Sequence, residues 1–98
     1  MKAVFFINMG DFPKVKNMVY ADDVLSRQTI NFRESRALGF KKDGYYLEID
    51  GSHEAISKAK ELMGPLAKEA DAKEKEEVLR KIKEEEDKAA EGFGSLFG

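Results

Sequence analysis

The sequence predicts a small α+β protein with a three-stranded antiparallel or mixed sheet, followed by a charged helical arm. Residues 3–7 form an unbroken apolar run, which is typical of a strand covered on both faces. Apolar residues alternate on both sides of Asp43-Gly44, which favours a hairpin. An amphipathic stretch then ends at Gly64-Pro65, which favours a helix.

The apolar run of residues 3–7 is predicted to be a central strand of the sheet. After it, Asp11 and Pro13 are typical of a helix start, with an acidic cap and an early proline. The β-branched residues that follow favour a strand equally well. The sequence therefore leaves residues 11–25 open between helix and strand.

The Asp43-Gly44 pair predicts a two-residue type I′ turn. This turn gives three cross-strand pairs: Lys42 with Tyr45, Phe40 with Leu47, and Leu38 with Ile49. A shift of one residue would turn an apolar set outward, so turn chemistry and alternation indicate the same register. The first strand of the hairpin can begin near Arg27, with a bulge around residues 35–37.

A helix is predicted after the cap candidates at residues 50–52. Its core-facing stripe consists of Ile56, Ala59, Leu62 and Met63. Gly64-Pro65 ends this helix, and Pro65 also suits the first turn of a new one. A second helix is therefore predicted from about residue 66 to residue 90, with a flexible end towards Gly92.

This order of elements resembles a ferredoxin-like arrangement that lacks its last strand. In that arrangement the missing strand lies beside the first one, so its absence leaves an apolar edge open. Natural proteins rarely tolerate such an edge. The resemblance implies a cover for it, either a second copy of the chain in a homodimer or the C-terminal segment folding back.

Composition divides the 98 residues into a globular domain, 1–70, and an arm, 71–98. Fifteen of the residues from 71 to 91 are charged, and the large apolar side chains there are Val78, Leu79 and Ile82. Burying each of these could return about 1.5–3 kcal/mol, against about 1–2 kcal/mol to order each backbone residue. The arm is therefore predicted to form no core, with local helix formation supplying its order.

Several protein classes are excluded or disfavoured by composition. The chain has no cysteine, which excludes disulfides, thiolate metal sites and a cysteine nucleophile. No run approaches the roughly twenty apolar residues of a membrane span, so a cytoplasmic location is predicted. The charged fraction of 37%, rich in lysine and glutamate, is typical of a thermophile's surface.

Catalytic and ligand-binding motifs are sparse. His53 is the one histidine and lies at a predicted helix start, where a solvated position is favoured over acid–base chemistry. Asp22-Asp23 lacks the ligand spacing of a calcium loop and is predicted to be an exposed turn. No glycine-rich phosphate loop is present. The sequence predicts a non-enzymatic protein with no cofactor and no metal.

Basic residues are concentrated between residues 14 and 42, where seven stand against three acids. Together with Phe32 and Tyr46 on a sheet, they could form an RNA-binding surface. The candidates are Arg27, Arg33, Arg36, Lys41 and Lys42. The net charge of −2 favours a solvated face instead.

The last eight residues, Glu-Gly-Phe-Gly-Ser-Leu-Phe-Gly after a lysine- and glutamate-rich stretch, resemble the tail of archaeal and eukaryotic acidic ribosomal stalk proteins. In that family a charged hinge carries an apolar motif that docks into translational GTPase factors. The resemblance implies that Phe93, Leu96 and Phe97 dock a protein partner. It covers residues 71–98; residues 1–70 do not resemble the helical dimerisation domain of the stalk.

The leading functional prediction is a small adaptor or accessory protein that docks a partner, by resemblance a translational GTPase, through its C-terminal motif. Two alternatives stay open. One is a ligand-sensing regulatory module with a pocket at a dimer interface, and the other is an RNA-binding domain that uses the basic hairpin.

Overall fold

The computed structural model describes residues 1–97, and it places the side chains of residues 1–90. The α+β class is confirmed, with a sheet of four strands in the order β2-β3-β1-β4, all antiparallel to their neighbours. The elements are β1 (Lys2–Ile7), α1 (Phe12–Ala21), β2 (Thr29–Glu34), β3 (Tyr45–Asp50), α2 (His53–Met63), β4 (Ala67–Glu69) and α3 (Ala72–Phe97).

A fourth strand corrects the prediction that the last strand is missing. β4 pairs antiparallel with β1, joining Ile7 to Ala67 and Phe5 to Glu69. Gly64-Pro65 ends α2 as predicted, but one turn of 3₁₀ helix then leads into β4, and α3 starts only at Ala72. A three-residue strand carries too little alternation to be recognised in sequence. β4 occupies the β1 edge whose predicted exposure suggested a homodimer.

The connection between β2 and β3 is longer than the predicted two-residue turn. β2 pairs Ile30 with Ile49 and Phe32 with Leu47, so the predicted partner of Leu47, Phe40, is wrong. The shift of eight residues is even, so the apolar face is preserved. Residues 35–44 form the connection, and the predicted bulge around residues 35–37 is a turn of 3₁₀ helix.

Backbone hydrogen bonds explain why Asp43-Gly44 is not a tight hairpin turn. The amide of Ser35 donates to the Gly44 carbonyl at 2.9 Å, and the amide of Phe40 donates to the Ser35 carbonyl at 3.1 Å. The reversal of the chain falls at Gly39, whose φ of 97° is left-handed. The extended arm that the sequence suggested for residues 36–42 is thereby folded into the loop.

Helices α1 and α2 cover one face of the sheet. Residues 11–25, left open by the sequence, contain α1, whose Val15 and Val19 are fully buried against the inward residues of β1 and β3. The predicted α2 stripe is confirmed for Ile56, Ala59 and Met63, but Leu62 is 38% exposed. The Oγ of Ser52 caps α2 by accepting a hydrogen bond from the Ala55 amide at 3.1 Å.

Helix α3 covers the opposite face. Val78 and Ile82 are 0% and 3% exposed and pack with Val4, Leu38 and Tyr46 in a second core cluster. The prediction that the charged segment forms no core is therefore wrong, because the sheet supplies the other half of the apolar surface. β1 is covered on both faces, as its apolar run predicted.

Candidate functional site

The first part of α3 is attached across the whole width of the sheet. The helix follows β4 at one edge, and its Val78 and Ile82 pack over the central strands. Its last ion pair with the sheet joins Glu85 Oε1 to Arg33 Nε of β2 at 3.5 Å. Since β2 is the opposite edge strand, α3 reaches from one edge of the sheet to the other between Ala72 and Glu85.

A polar cluster of Lys42, Tyr46 and Glu74, here called the Glu74 cluster, fixes the first turn of α3. Glu74 Oε2 accepts hydrogen bonds from the Tyr46 hydroxyl at 2.8 Å and from Lys42 Nζ at 2.9 Å. Lys42 Nζ also lies 4.0 Å from the centroid of the Phe6 ring, a cation–π contact. Asp71 caps the helix, with its Oδ1 accepting from the Glu74 amide at 2.8 Å.

The Glu74 cluster shifts the pKa of each of its members in the direction that keeps them paired. The hydrogen bond from Lys42 lowers the pKa of Glu74. Burial raises the pKa of the Tyr46 hydroxyl, and its bond to Glu74 raises it further. Burial disfavours the charge on Lys42, but the hydrogen bonds and charges of Glu74 and Tyr46 together outweigh burial and raise the pKa of Lys42.

We expect Glu74→Gln to destabilise the fold in a pH-dependent way. Because the folded-state pKa of Glu74 is lowered, its stabilisation is present above the unfolded pKa of about 4.3 and is lost as pH falls through the folded value. The variant should lose about 1 kcal/mol of unfolding free energy at neutral pH. The deficit should shrink when urea unfolding is repeated near pH 3.

The control for this prediction is Glu61→Gln, which changes an exposed acid on α2. That variant should unfold like the original chain at both pH values. A deficit for Glu74→Gln that stays constant down to pH 3 would contradict the role assigned to the Glu74 carboxylate.

Beyond Ile82 the described side chains of α3 face solvent. Every residue from 83 to 90 is exposed, although Glu85 still reaches Arg33. The helix itself continues to Phe97, further than the predicted end near residue 90. The side chains of the predicted docking residues Phe93, Leu96 and Phe97 lie outside the described residues.

The five predicted nucleic-acid-binding residues lie before β2, within β2, and in the connection 35–44, which contains Arg36, Lys41 and Lys42. Arg27 and Lys41 are exposed, Arg27 in the turn before β2 and Lys41 in the loop before β3. The other three are paired with acids: Arg33 with Glu85, Arg36 with Asp43, and Lys42 with Glu74. Phe32 and Tyr46, the predicted stacking residues, lie on opposite faces of the sheet, and Tyr46 is buried under α3. The predicted stacking residues are therefore divided between the two faces of the sheet.

No cluster suited to metal binding occurs among the described residues. Asp22 is one candidate ligand. Its Oδ1 lies 2.8 Å from Lys58 Nζ, and the hydrogen bond from Lys58 lowers the pKa of Asp22. His53 is the exposed first residue of α2. Within the part of the chain that the structure describes, no helix is long and apolar enough to cross a membrane.

Two features of α3 were missed by sequence reasoning. One is the Glu74 cluster, whose members lie as many as 32 residues apart. The other is a polar cleft between α3 and the sheet, described below. Val4 and Phe6 alternate with the inward residues of β1 and indicated that the second face was covered. Nothing in the sequence indicated by which segment.

Comparison of this chain with protein-family models, with curated proteins and with solved structures finds no match. The likeness to ribosomal stalk tails therefore depends on the C-terminal residues themselves.

Proposed function

We propose that this protein is a non-enzymatic adaptor that docks a protein partner through Phe93, Leu96 and Phe97. The observation that carries the proposal is the division of α3 into two parts. Val78 and Ile82 are buried against the sheet, whereas every side chain from residue 83 to residue 90 is exposed.

The buried part of α3 gives the arm a fixed origin and direction. Two sets of contacts hold the helix on the sheet. One is the apolar packing of Val78 and Ile82, and the other is the hydrogen bonding of the Glu74 cluster. Residues 86–88 still line spaces between α3 and the domain, and the nine helical residues after them, 89–97, span about 14 Å at 1.5 Å per residue. We propose that this length carries the docking motif to a partner.

The composition of the arm and its end supports docking. The exposed residues from 83 to 88 are all lysine, glutamate or aspartate, which favours water over the domain surface. The sequence then places two phenylalanines and a leucine among three glycines. Large aromatic residues are the usual anchors of protein interfaces, and flanking glycines suit a segment that orders on binding.

The resemblance to stalk tails selects the partner class, the translational GTPases. The rest of the chain has the β-α-β-β-α-β order of ferredoxin-like domains, unlike the helical domain of the stalk. We therefore propose an accessory protein of translation that uses the same kind of docking motif on a different domain.

Binding to purified translational elongation factors tests the proposal. Isothermal titration calorimetry would compare the full chain, a chain ending at Ala90, and the full chain with Phe93→Ala and Phe97→Ala together. Loss of two aromatic anchors should weaken binding by about thirtyfold or more. The shortened chain should not bind measurably.

The matched control removes an exposed apolar residue elsewhere, Met9→Ala, whose side chain is 44% exposed on the domain. This variant should bind like the original chain. Equal affinity of the full and shortened chains would contradict tail docking. Binding of elongation factors by neither chain would contradict the proposed partner class.

A further inference from the structure

The α3 face of the sheet has an apolar half and a polar half. Strand register places Phe6, Tyr46 and Arg33 in one cross-strand row, and Val4 and Tyr46 lie under Val78 and Ile82 of α3. The next row toward the other end of the strands places Val4 beside Glu48 and Asn31, and the row after it is polar, with Lys2, Asp50 and Thr29. Here α3 does not close down on the sheet, and a cleft of about 740 Å³ remains.

Glu48 forms the most buried polar group of this cleft. Its side chain is 9% exposed. Oε1 accepts a hydrogen bond from Asn31 Nδ2 at 3.0 Å. Among the described residues, the nearest cation to Oε2 is Lys2 Nζ at 3.7 Å, beyond hydrogen-bond distance. Glu48 Oε2 is therefore free to accept a hydrogen bond from a ligand.

Lys2 does not block this position. Its side chain is 51% exposed, and it can turn into water when another cation approaches Glu48. Asp50, at the mouth of the cleft, is 43% exposed and lies 3.5 Å from the N-terminal ammonium. The sheet wall therefore offers carboxylate oxygens to a ligand with N–H donors.

The helix wall contributes two cationic side chains to the cleft. Arg80 and Lys83 lie three residues apart on α3 and line the cleft, with Leu79 and Ile82 providing its apolar surface. Glu86 and Asp87 continue the lining toward the free end of the helix. A ligand near the middle of the cleft meets the carboxylate of Glu48 on the sheet side, and on the helix side the guanidinium of Arg80 and the ammonium of Lys83.

We propose that this cleft binds a small zwitterion, a free amino acid or a short peptide. The ligand's ammonium donates to Glu48 in place of Lys2, its carboxylate accepts from Arg80 and Lys83, and an aliphatic side chain packs on Leu79 and Ile82. The volume falls within the usual range of ligand pockets, about 300–1,000 Å³. The described residues that line the cleft lie outside the proposed docking motif.

An NMR titration of the full ¹⁵N-labelled chain tests the site with matched probes. The zwitterions are L-leucine and glycyl-L-leucine; isoamylamine lacks the carboxylate of leucine, and 4-methylpentanoate lacks its ammonium. We expect saturable shifts at the amides of Asn31, Glu48 and Lys83 with one of the zwitterions. The zwitterion that binds more tightly shows whether the ligand is a free amino acid or a short peptide. Both single-charge analogues should bind at least about tenfold more weakly than that zwitterion.

Variants connect the shifts to the proposed contacts. Glu48→Gln and, separately, Arg80→Gln should each weaken binding about tenfold or more. Arg80 is exposed, so its replacement leaves the core intact. Glu61→Gln on α2 is the matched control, and a chain ending at Ala90 should bind fully.

The proposal is overturned if neither zwitterion gives saturable shifts up to about 10 mM, if isoamylamine binds as tightly as leucine, or if Glu48→Gln binds normally.

Discussion

Replacing Ile82 by alanine should lower the free energy of unfolding by about 2–5 kcal/mol. Ile82 is 3% exposed and lies in the cluster that joins α3 to Val4, Leu38 and Tyr46. Removing its side chain takes away apolar contact and leaves a cavity between helix and sheet. Thermal unfolding should shift by roughly 4–8 °C for each kcal/mol lost.

A second measurement separates this effect from general destabilisation. If Ile82 fixes the origin of the arm, amide hydrogen exchange in residues 72–82 should accelerate more than exchange in α1. Leu62→Ala is the control, since Leu62 is also helical but 38% exposed. An unfolding free energy for Ile82→Ala equal to that of Leu62→Ala would contradict the assigned packing of α3.

Gly44→Ala should destabilise the protein by about 2–6 kcal/mol, since two costs of roughly 1–3 kcal/mol each act together. The φ of Gly44 is 147°, which side-chain-bearing residues rarely adopt. A Cβ there would stand 2.5 Å from the Ile7 carbonyl oxygen and 2.6 Å from the Phe6 ring. β1 and β3 would have to separate at this end, which urea unfolding would register.

Two other glycines form the control series for Gly44. Gly10→Ala should change the unfolding free energy little, because a Cβ there meets nothing within 4 Å and no left-handed φ is required. Gly39→Ala has the same open space but a φ of 97°, so it should cost about 1–2 kcal/mol from strain alone. Equal stability of the three variants would contradict the loop conformation described for residues 35–44.

Features that depend on neighbouring residues could be predicted from the sequence. The unbroken apolar run of β1 predicted a central, doubly covered strand, and the spacing of Ile56, Ala59 and Met63 predicted the buried face of α2. Gly64-Pro65 ended α2 as predicted, because proline cannot continue a helix. Each of these features follows from residues that are close together in sequence, either through an apolar pattern or through a proline that ends a helix.

The hairpin and the last strand could not be predicted in the same way. Asp43-Gly44 matched a tight turn, but the pairing of β2 with β3 was decided by contacts across the sheet. Phe32 packs against Phe12 of α1, which favours it over Phe40 as the partner of Leu47. β4 exists because α2 returns the chain beside the free edge of β1, where three residues find backbone partners.

The candidate sites also differ in whether their residues are close together in sequence. The proposed docking motif is a contiguous stretch of sequence, so it could be proposed from the sequence alone. The cleft and the Glu74 cluster combine residues from distant strands and from α3, so no spacing indicated them. Arg33 and Lys42, which charge counting grouped with a basic surface, are instead paired with acids of α3.

By itself, the sequence determined the α+β class, the central place of β1, the face of α2 and the helical character of the charged segment, since these depend on composition and period. Only the tertiary structure decided what the charged segment does. Val78 and Ile82 are too few to form a core alone, but the sheet offers them Val4 and Tyr46. Burial requires two surfaces, and a sequence read along one segment contains only one of them.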